Sequence, residues 1–307
     1  MVWVLLAILL ILCILAYGTA YLFRYGILSK HITHQEIAAE SNDWSETHHN
    51  KAKEWLEELG YETMHTLSHD GLNLVGYYIA PAQKSGKLVV LVHGYGVDGK
   101  YMADFAQYYR EKGFHVFMAD NRGHGQSEGR YIGMGWLDRL DQMHWLDLLV
   151  EKLGSDIRIV LHGVSMGAAA VMMMSGETLP AQVECIVEDC GYTSAYDEFK
   201  VQMNHMFHLP AFPILPLTSL ICRIFVGYSF KEASAINQLK KCSRPVLFIH
   251  GDADNFVPVS MVHPLYETAR CGKDLLIVKD AKHAQAYLKE PEMYQQKLEE
   301  FFAQYFV

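Results

Sequence analysis

Leu88-Val89-Val90-Leu91-Val92 is an unbroken apolar run that ends in His93-Gly94-Tyr95-Gly96. A strand with one wet face alternates polar and apolar residues. A run without alternation belongs to a strand covered on both faces, as in parallel sheets between layers of helices. Other β-rich runs lie at 62–67, 72–80, 115–119, 157–161, 183–188, 245–249 and 275–278, with helical patterns near 100–112, 135–153, 166–176, 260–269 and 291–306. Strand–helix alternation of this kind predicts an α/β fold, a mostly parallel sheet flanked by helices. Residues 195–240 break the rhythm: they hold no strand pattern but carry Met203, Met206, Phe207, Leu209 and Phe212. An insertion there would lie over the C-terminal ends of the strands, where open α/β sheets bind ligands.

From Val2 to Phe23 no residue is charged. Those 22 residues, at about 1.5 Å each, reach roughly 33 Å and span a bilayer core of about 30 Å. A cleaved signal peptide is the competing reading, with Ala20 and Gly18 as a cleavage site, but it wants Lys or Arg at its start and none precedes Arg24. A buried core helix fits poorly because the stretch is apolar all round. The chain therefore divides into an anchor (1–29), a polar, helix-prone connector (30–60) and one catalytic domain (61–307) with an insertion at about 195–240. The first 25 or so residues are expected only to anchor, so that a chain starting near His31 should fold alone. Arg24 and Lys30 follow the anchor and favour a cytoplasmic domain.

The net charge of −9, 26 basic against 35 acidic residues without a basic run, excludes a nucleic-acid partner. Six cysteines, none in a C-x-x-C pair, give no zinc or redox motif and are read as buried thiols. Cys185 and Cys190, an odd number apart in a strand pattern, should face opposite sides.

Gly163-Val164-Ser165-Met166-Gly167 follows an apolar strand and opens a helix of small residues. A turn that tight needs glycines at its flanks, lifts Ser165 clear of the backbone and sets it over a helix N-terminus. The His93–Gly96 loop offers the N–H of Tyr95, and Met166 offers a second, so the pair can form an oxyanion hole. Gly94-Tyr95-Gly96-Val97-Asp98-Gly99 is also a G-x-G-x-x-G, with Asp120 ending the next strand. That is the dinucleotide fingerprint, and it makes a nicotinamide-dependent oxidoreductase the rival reading. Two strands before the loop, and an unexplained Ser165, count against it. Asp254 follows the strand 245–249 and is the preferred acid, with Asp252 the alternative that would instead hold the turn. His283 follows the last strand and completes the chain order Ser, acid, His, whereas His48, His49, His205 and His208 read as surface or cap residues.

With Asp120-Asn121-Arg122-Gly123-His124-Gly125-Gln126-Ser127 as D-x-R-G-x-G-x-S and His250–Pro258 as H-G-x-x-D-x-x-V-P, the chain resembles the serine hydrolases of the α/β-hydrolase family. The similar branch includes monoglyceride lipases, serine aminopeptidases and membrane-anchored Bem46-like hydrolases. The resemblance, over roughly 60–305, implies an eight-stranded sheet with a cap, no cofactor or metal, and Asp254 as the acid. Ser165 sets the chain apart from branches that carry Asp or Cys there. It also implies hydrolysis of carboxylic esters, small or lipid-like, or a serine aminopeptidase activity. A degenerate fold serving as a membrane-linked binding module would not need a complete triad. From Phe199 to Phe230 there is no Asp or Glu to hold a substrate ammonium, which favours ester substrates of short to medium acyl length.

Overall fold

In the computed structural model, which describes residues 1–29 and 43–306 (backbone only over 43–49), eight strands form one sheet. β1 (Glu62–Leu67) and β2 (Asn73–Ile79) make an antiparallel pair at one edge, and β2 also runs antiparallel to β4 (His115–Ala119). From β4 the pairing turns parallel through β3 (Lys87–Val92), β5 (Arg158–Val164), β6 (Val183–Asp189), β7 (Val246–Gly251) and β8 (Lys273–Val278). All five residues of the Leu88–Val92 run are fully buried, and they alternate between the two faces. Leu88, Val90 and Val92 join one core, Val89 and Leu91 the other.

The N-terminal helix α1 (Val2–Ile27) and then α2 (Asp43–Leu59) precede the sheet. Between and after the strands come α3 (Ala103–Glu111), α4 (Asp138–Leu153), α5 (Met166–Met174), α6 (Ala195–Phe207), α7 (Ile214–Phe225), α8 (Ala235–Leu239), α9 (Val262–Thr268), α10 (Ala286–Lys289) and α11 (Pro291–Tyr305). α2 buries Ala52 and Leu56 in the same core as Tyr109 of α3 and Phe301 of α11. The first part of the expected connector, 30–42, lies outside the described residues, as do the side chains of His48 and His49. His205 and His208 are exposed on the cap formed by α6 and α7.

Two expectations are corrected. Cys185 and Cys190 lie in the same core because β6 ends at Asp189 and Cys190 turns off with φ 51°, breaking the alternation. Not every cysteine is buried either: Cys13 is exposed on α1 and Cys271 is partly so.

The larger correction concerns α1, which is more than an anchor. Residues 2–14 are exposed throughout, but Thr19, Leu22, Gly26 and Ile27 are buried, and Leu22 and Ile27 belong to the main core. α1 packs on α7 at Gly18, where a Cβ would lie 3.1 Å from Ile214 Cδ1, and on α6 at Gly26, where a Cβ would lie 2.6 Å from the Phe199 ring. Its end is tied down by Ile132 N–H donating to the Ile27 carbonyl (2.9 Å), Ser29 N–H to Arg130 (3.1 Å) and Ser29 Oγ to Gly129 (2.9 Å). The small residues are the reason. Gly18, Leu22 and Gly26 recur every four residues and so share one face, on which the helix can approach its neighbours closely.

Candidate active site

Ser165 stands at the turn between β5 and α5 with φ 57° and ψ −116°. That backbone conformation costs a side-chain-bearing residue about 1–3 kcal/mol and persists only where neighbours enforce it. Here the Ser165 amide donates to the Asp189 carbonyl (2.8 Å) and its carbonyl accepts from Ala169 (3.0 Å). The flanking glycines are steric necessities: a Cβ on Gly163 would strike the Gly167 carbonyl, and one on Gly167 would strike that of Val92.

The acid loop after β7 places the Asp254 carboxylate so that one oxygen accepts the amides of Phe256 and Val257, each at 2.9 Å. The other oxygen lies 2.7 Å from His283 Nδ1, and His283 Nε2 lies 2.8 Å from Ser165 Oγ. With Nδ1–H donating to the carboxylate, Nε2 is left to accept the serine hydroxyl proton. Burial raises the Asp254 carboxyl, but His283 and His250 outweigh it and hold the group at about 2. The structure therefore brings Ser165, Asp254 and His283 into one hydrogen-bonded chain. Asp252 is not part of it: exposed, it accepts the Asp280 amide at 2.6 Å and ties the acid loop to the turn that carries His283.

The loop after β3 brings Gly94 against Ser165, with a Cβ at Gly94 placed 3.3 Å from that of the serine. His93, fully buried, holds the loop from behind: Nδ1–H donates to the Gly94 carbonyl (2.7 Å) and Nε2 accepts the Asn121 amide (2.9 Å). Burial pushes His93 down to about 4, which keeps Nε2 an acceptor at neutral pH. Asp120 accepts the amides of Gly99 and Gln126, both at 2.7 Å, and the Tyr77 hydroxyl at 2.8 Å. The last glycine of the G-x-G-x-x-G and the acid that would meet a ribose are thus bonded to each other, so this stretch is a loop brace and not a dinucleotide site. Arg122, buried behind the loop, makes paired bonds to Asp141 (2.7 Å each) and to Asp70 (3.0 and 3.1 Å).

Two cavities meet at Ser165. One, about 890 Å³ including its open mouth, is lined by Met134, Phe199, Met203 and Phe207 together with Leu22 and Gly26 of α1. The other, about 740 Å³, is lined by His283, Tyr101, Asp104 and Tyr287. Tyr95 borders both.

Glu198, which sequence reasoning missed, lies in the first cavity one residue before the acid-free stretch. One carboxylate oxygen accepts from Gln202 (2.8 Å), and the other has no partner among the described residues. Burial pushes the group up to about 7. Its Ser194-capped position in the first turn of α6 is the only sequence signal that could have flagged it. Cys190, Asp254 and His283 also come within 4.8 Å of one another. Burial and the nearby Asp189 push the Cys190 thiol well up, so it offers no thiolate, and the other two are bonded to each other.

This sheet, with its serine at a strand–helix turn and a cap over the parallel strand ends, has the α/β-hydrolase fold. Residues 83–189 match the family model for serine aminopeptidase, S33. The uncharacterised protein YqkD of Bacillus subtilis is 28% identical over 231 residues, 75% of either chain. YNL320W of Saccharomyces cerevisiae, described as a membrane protein, is 23% identical over 215 residues, 68% of either chain. The esterase Pf2001 of Pyrococcus furiosus shares the fold with a TM-score of 0.67 at 23% identity, over 81% of this chain and 92% of its own. The chain has this fold, and its N-terminal helix is long and apolar enough to cross a membrane.

Proposed function

We propose that the chain is a membrane-anchored serine hydrolase that cleaves carboxylic esters with an apolar, lipid-like acyl group. The observation that carries this reading is the Ser165–His283–Asp254 chain of 2.8 and 2.7 Å contacts at the floor of an apolar cavity. His283 Nε2 takes the hydroxyl proton as Ser165 Oγ bonds to the acyl carbon, and the carbonyl oxygen becomes an oxyanion facing the N–H groups of Tyr95 and Met166. Collapse breaks the ester C–O bond, and the departing alcohol takes the proton from His283. Water, giving its proton to His283, then attacks the acyl carbon; as the bond to Ser165 Oγ breaks, His283 passes that proton to Oγ, which frees the acid and restores both residues. The leaving oxygen must be on the side of His283, so the alcohol occupies the cavity that His283 lines and the acyl chain the apolar one. α1 seats the enzyme in the membrane, and Arg24 at its end favours the cytoplasmic side.

A fluorophosphonate probe tests this reading: it should label the wild type and not Ser165→Ala, and an unlabelled wild type would sink it. One observation favours a second reading, an aminopeptidase: the Glu198 carboxyl in the acyl cavity is positioned to meet a substrate ammonium. Its rise to about 7 works against this, because half the empty sites would be neutral at that pH. Faster cleavage of an aminoacyl anilide with a free amine than of its blocked counterpart would establish the second reading.

A further inference from the structure

We propose that α1 is a working part of the active site: its last two turns wall the acyl cavity and brace the oxyanion loop, so the anchor helps to set acyl-chain selectivity. The inference rests on the ester-hydrolase reading above and adds a determinant to it.

The wall is built from both sides. Leu22, Tyr25 and Gly26 line the cavity that holds Ser165, and Gly26 leaves just enough room for the ring of Phe199, another lining residue. Phe207 stands edge-on to Tyr21 and Tyr25 with ring centres 5.9 Å from each, and the Tyr25 hydroxyl lies 3.8 Å from the Met206 sulfur. Lengthening or shortening a side chain on this face of α1 therefore changes the space left for an acyl chain.

The brace is separate. The last carbonyls of a helix have no partner within the helix. In α1, those of Tyr25 and Gly26 face the Tyr95 hydroxyl, at 3.2 and 3.4 Å. Tyr95 supplies one proposed oxyanion donor through its backbone, so its ring ties that loop to the anchor.

Depth in the bilayer follows from length. Counted from Val2, a core of about 30 Å at about 1.5 Å per residue ends near Tyr21, one turn before Gly26. α7 meets α1 through Ile214 at Gly18, and its Leu217, Leu220 and Ile224 are exposed. The cavity wall formed by Leu22, Tyr25 and Gly26 thus begins where that span ends, next to the leaflet that would supply an acyl chain.

The test uses the full chain in phosphatidylcholine nanodiscs and p-nitrophenyl esters from two to fourteen carbons. Leu22→Ala should move the optimal chain longer by two or more carbons, and Gly26→Ala, which pushes on Phe199, should move it shorter. Tyr95→Phe should lower kcat on the acetate ester about three- to tenfold with KM unchanged, since acetate is too short to feel the wall. Leu9→Ala, on the free part of α1, should match the wild type throughout. Chain-length profiles of Leu22→Ala and Gly26→Ala that superimpose on the wild type, in protein that still takes up fluorophosphonate at Ser165, would overturn the inference and leave the hydrolase reading intact. Failure of the wild type to take up the probe would overturn both.

Discussion

Asp254→Asn separates the electrostatic from the geometric role of the acid. The oxygen that accepts the Phe256 and Val257 amides at 2.9 Å must stay an oxygen, because two N–H groups point at it. The new amide NH2 is therefore forced toward His283 Nδ1, 2.7 Å away. A donor facing Nδ1 drives the imidazole into the tautomer with its proton on Nε2, where it can no longer take the proton of Ser165. A wrong tautomer of this kind costs about 10⁴ in kcat in the serine-protease precedent, or roughly 5.5 kcal/mol. Stability changes as well. The carboxyl sits at about 2 in the fold against an ordinary 3.8. A depressed acid stabilises above its unfolded value and loses that contribution as pH falls through the folded one, here roughly 2 kcal/mol present above pH 4 and gone by about pH 2. The variant should therefore melt lower than the wild type at pH 7, with the gap closing toward pH 2. The assays are p-nitrophenyl butyrate turnover and thermal melts at both ends of that window. Asp252→Asn, which keeps an acceptor for the Asp280 amide, should stay near wild-type activity. An active Asp254→Asn beside a dead Asp252→Asn would refute the assignment.

Glu198→Gln should gain stability over the wild type as pH rises from about 4.5 to about 7, because across that range the unfolded carboxyl ionises while the buried one, at about 7, stays protonated. The gain is on the order of 3 kcal/mol at most, and melts at pH 5 and pH 8 will show it. Arg122→Met should cost about 3–5 kcal/mol by leaving the buried Asp141 carboxylate unpaired, and adding Asp141→Asn should recover part of the loss.

The sheet was legible because its central strands are continuous apolar runs, and the strand-end loops were legible because glycines mark them. Ser165, Asp254 and His283 could be singled out by position alone, each just past a strand, and the structure draws them into one chain. The choice between Asp254 and Asp252 was not settled by sequence, since both lie in one loop; it turns on which carboxylate faces inward. Glu198 escaped because it stands at the edge of the acid-free stretch, where the helical turn rotates it into the cavity. Cys190 escaped because a positive φ ended the strand before it. The packing of α1 was the deepest omission. Up to Phe23 the helix carries no charge, so no charged face shows which side meets protein, and the signal lay in Gly18 and Gly26.

Because Leu28 pairs with Tyr131 in a β-bridge and Ser29 is bonded to Gly129 and Arg130, the helix enters the globular body without slack. A catalytic body on a loose cord can tumble and sweep a hemisphere of solution; one welded to its post keeps a single tilt and a single height. Seated in a bilayer, such an enzyme searches in two dimensions. Its turnover would then follow the mole fraction of ester in the surface around it, and diluting the vesicles at fixed composition would leave the rate per enzyme unchanged.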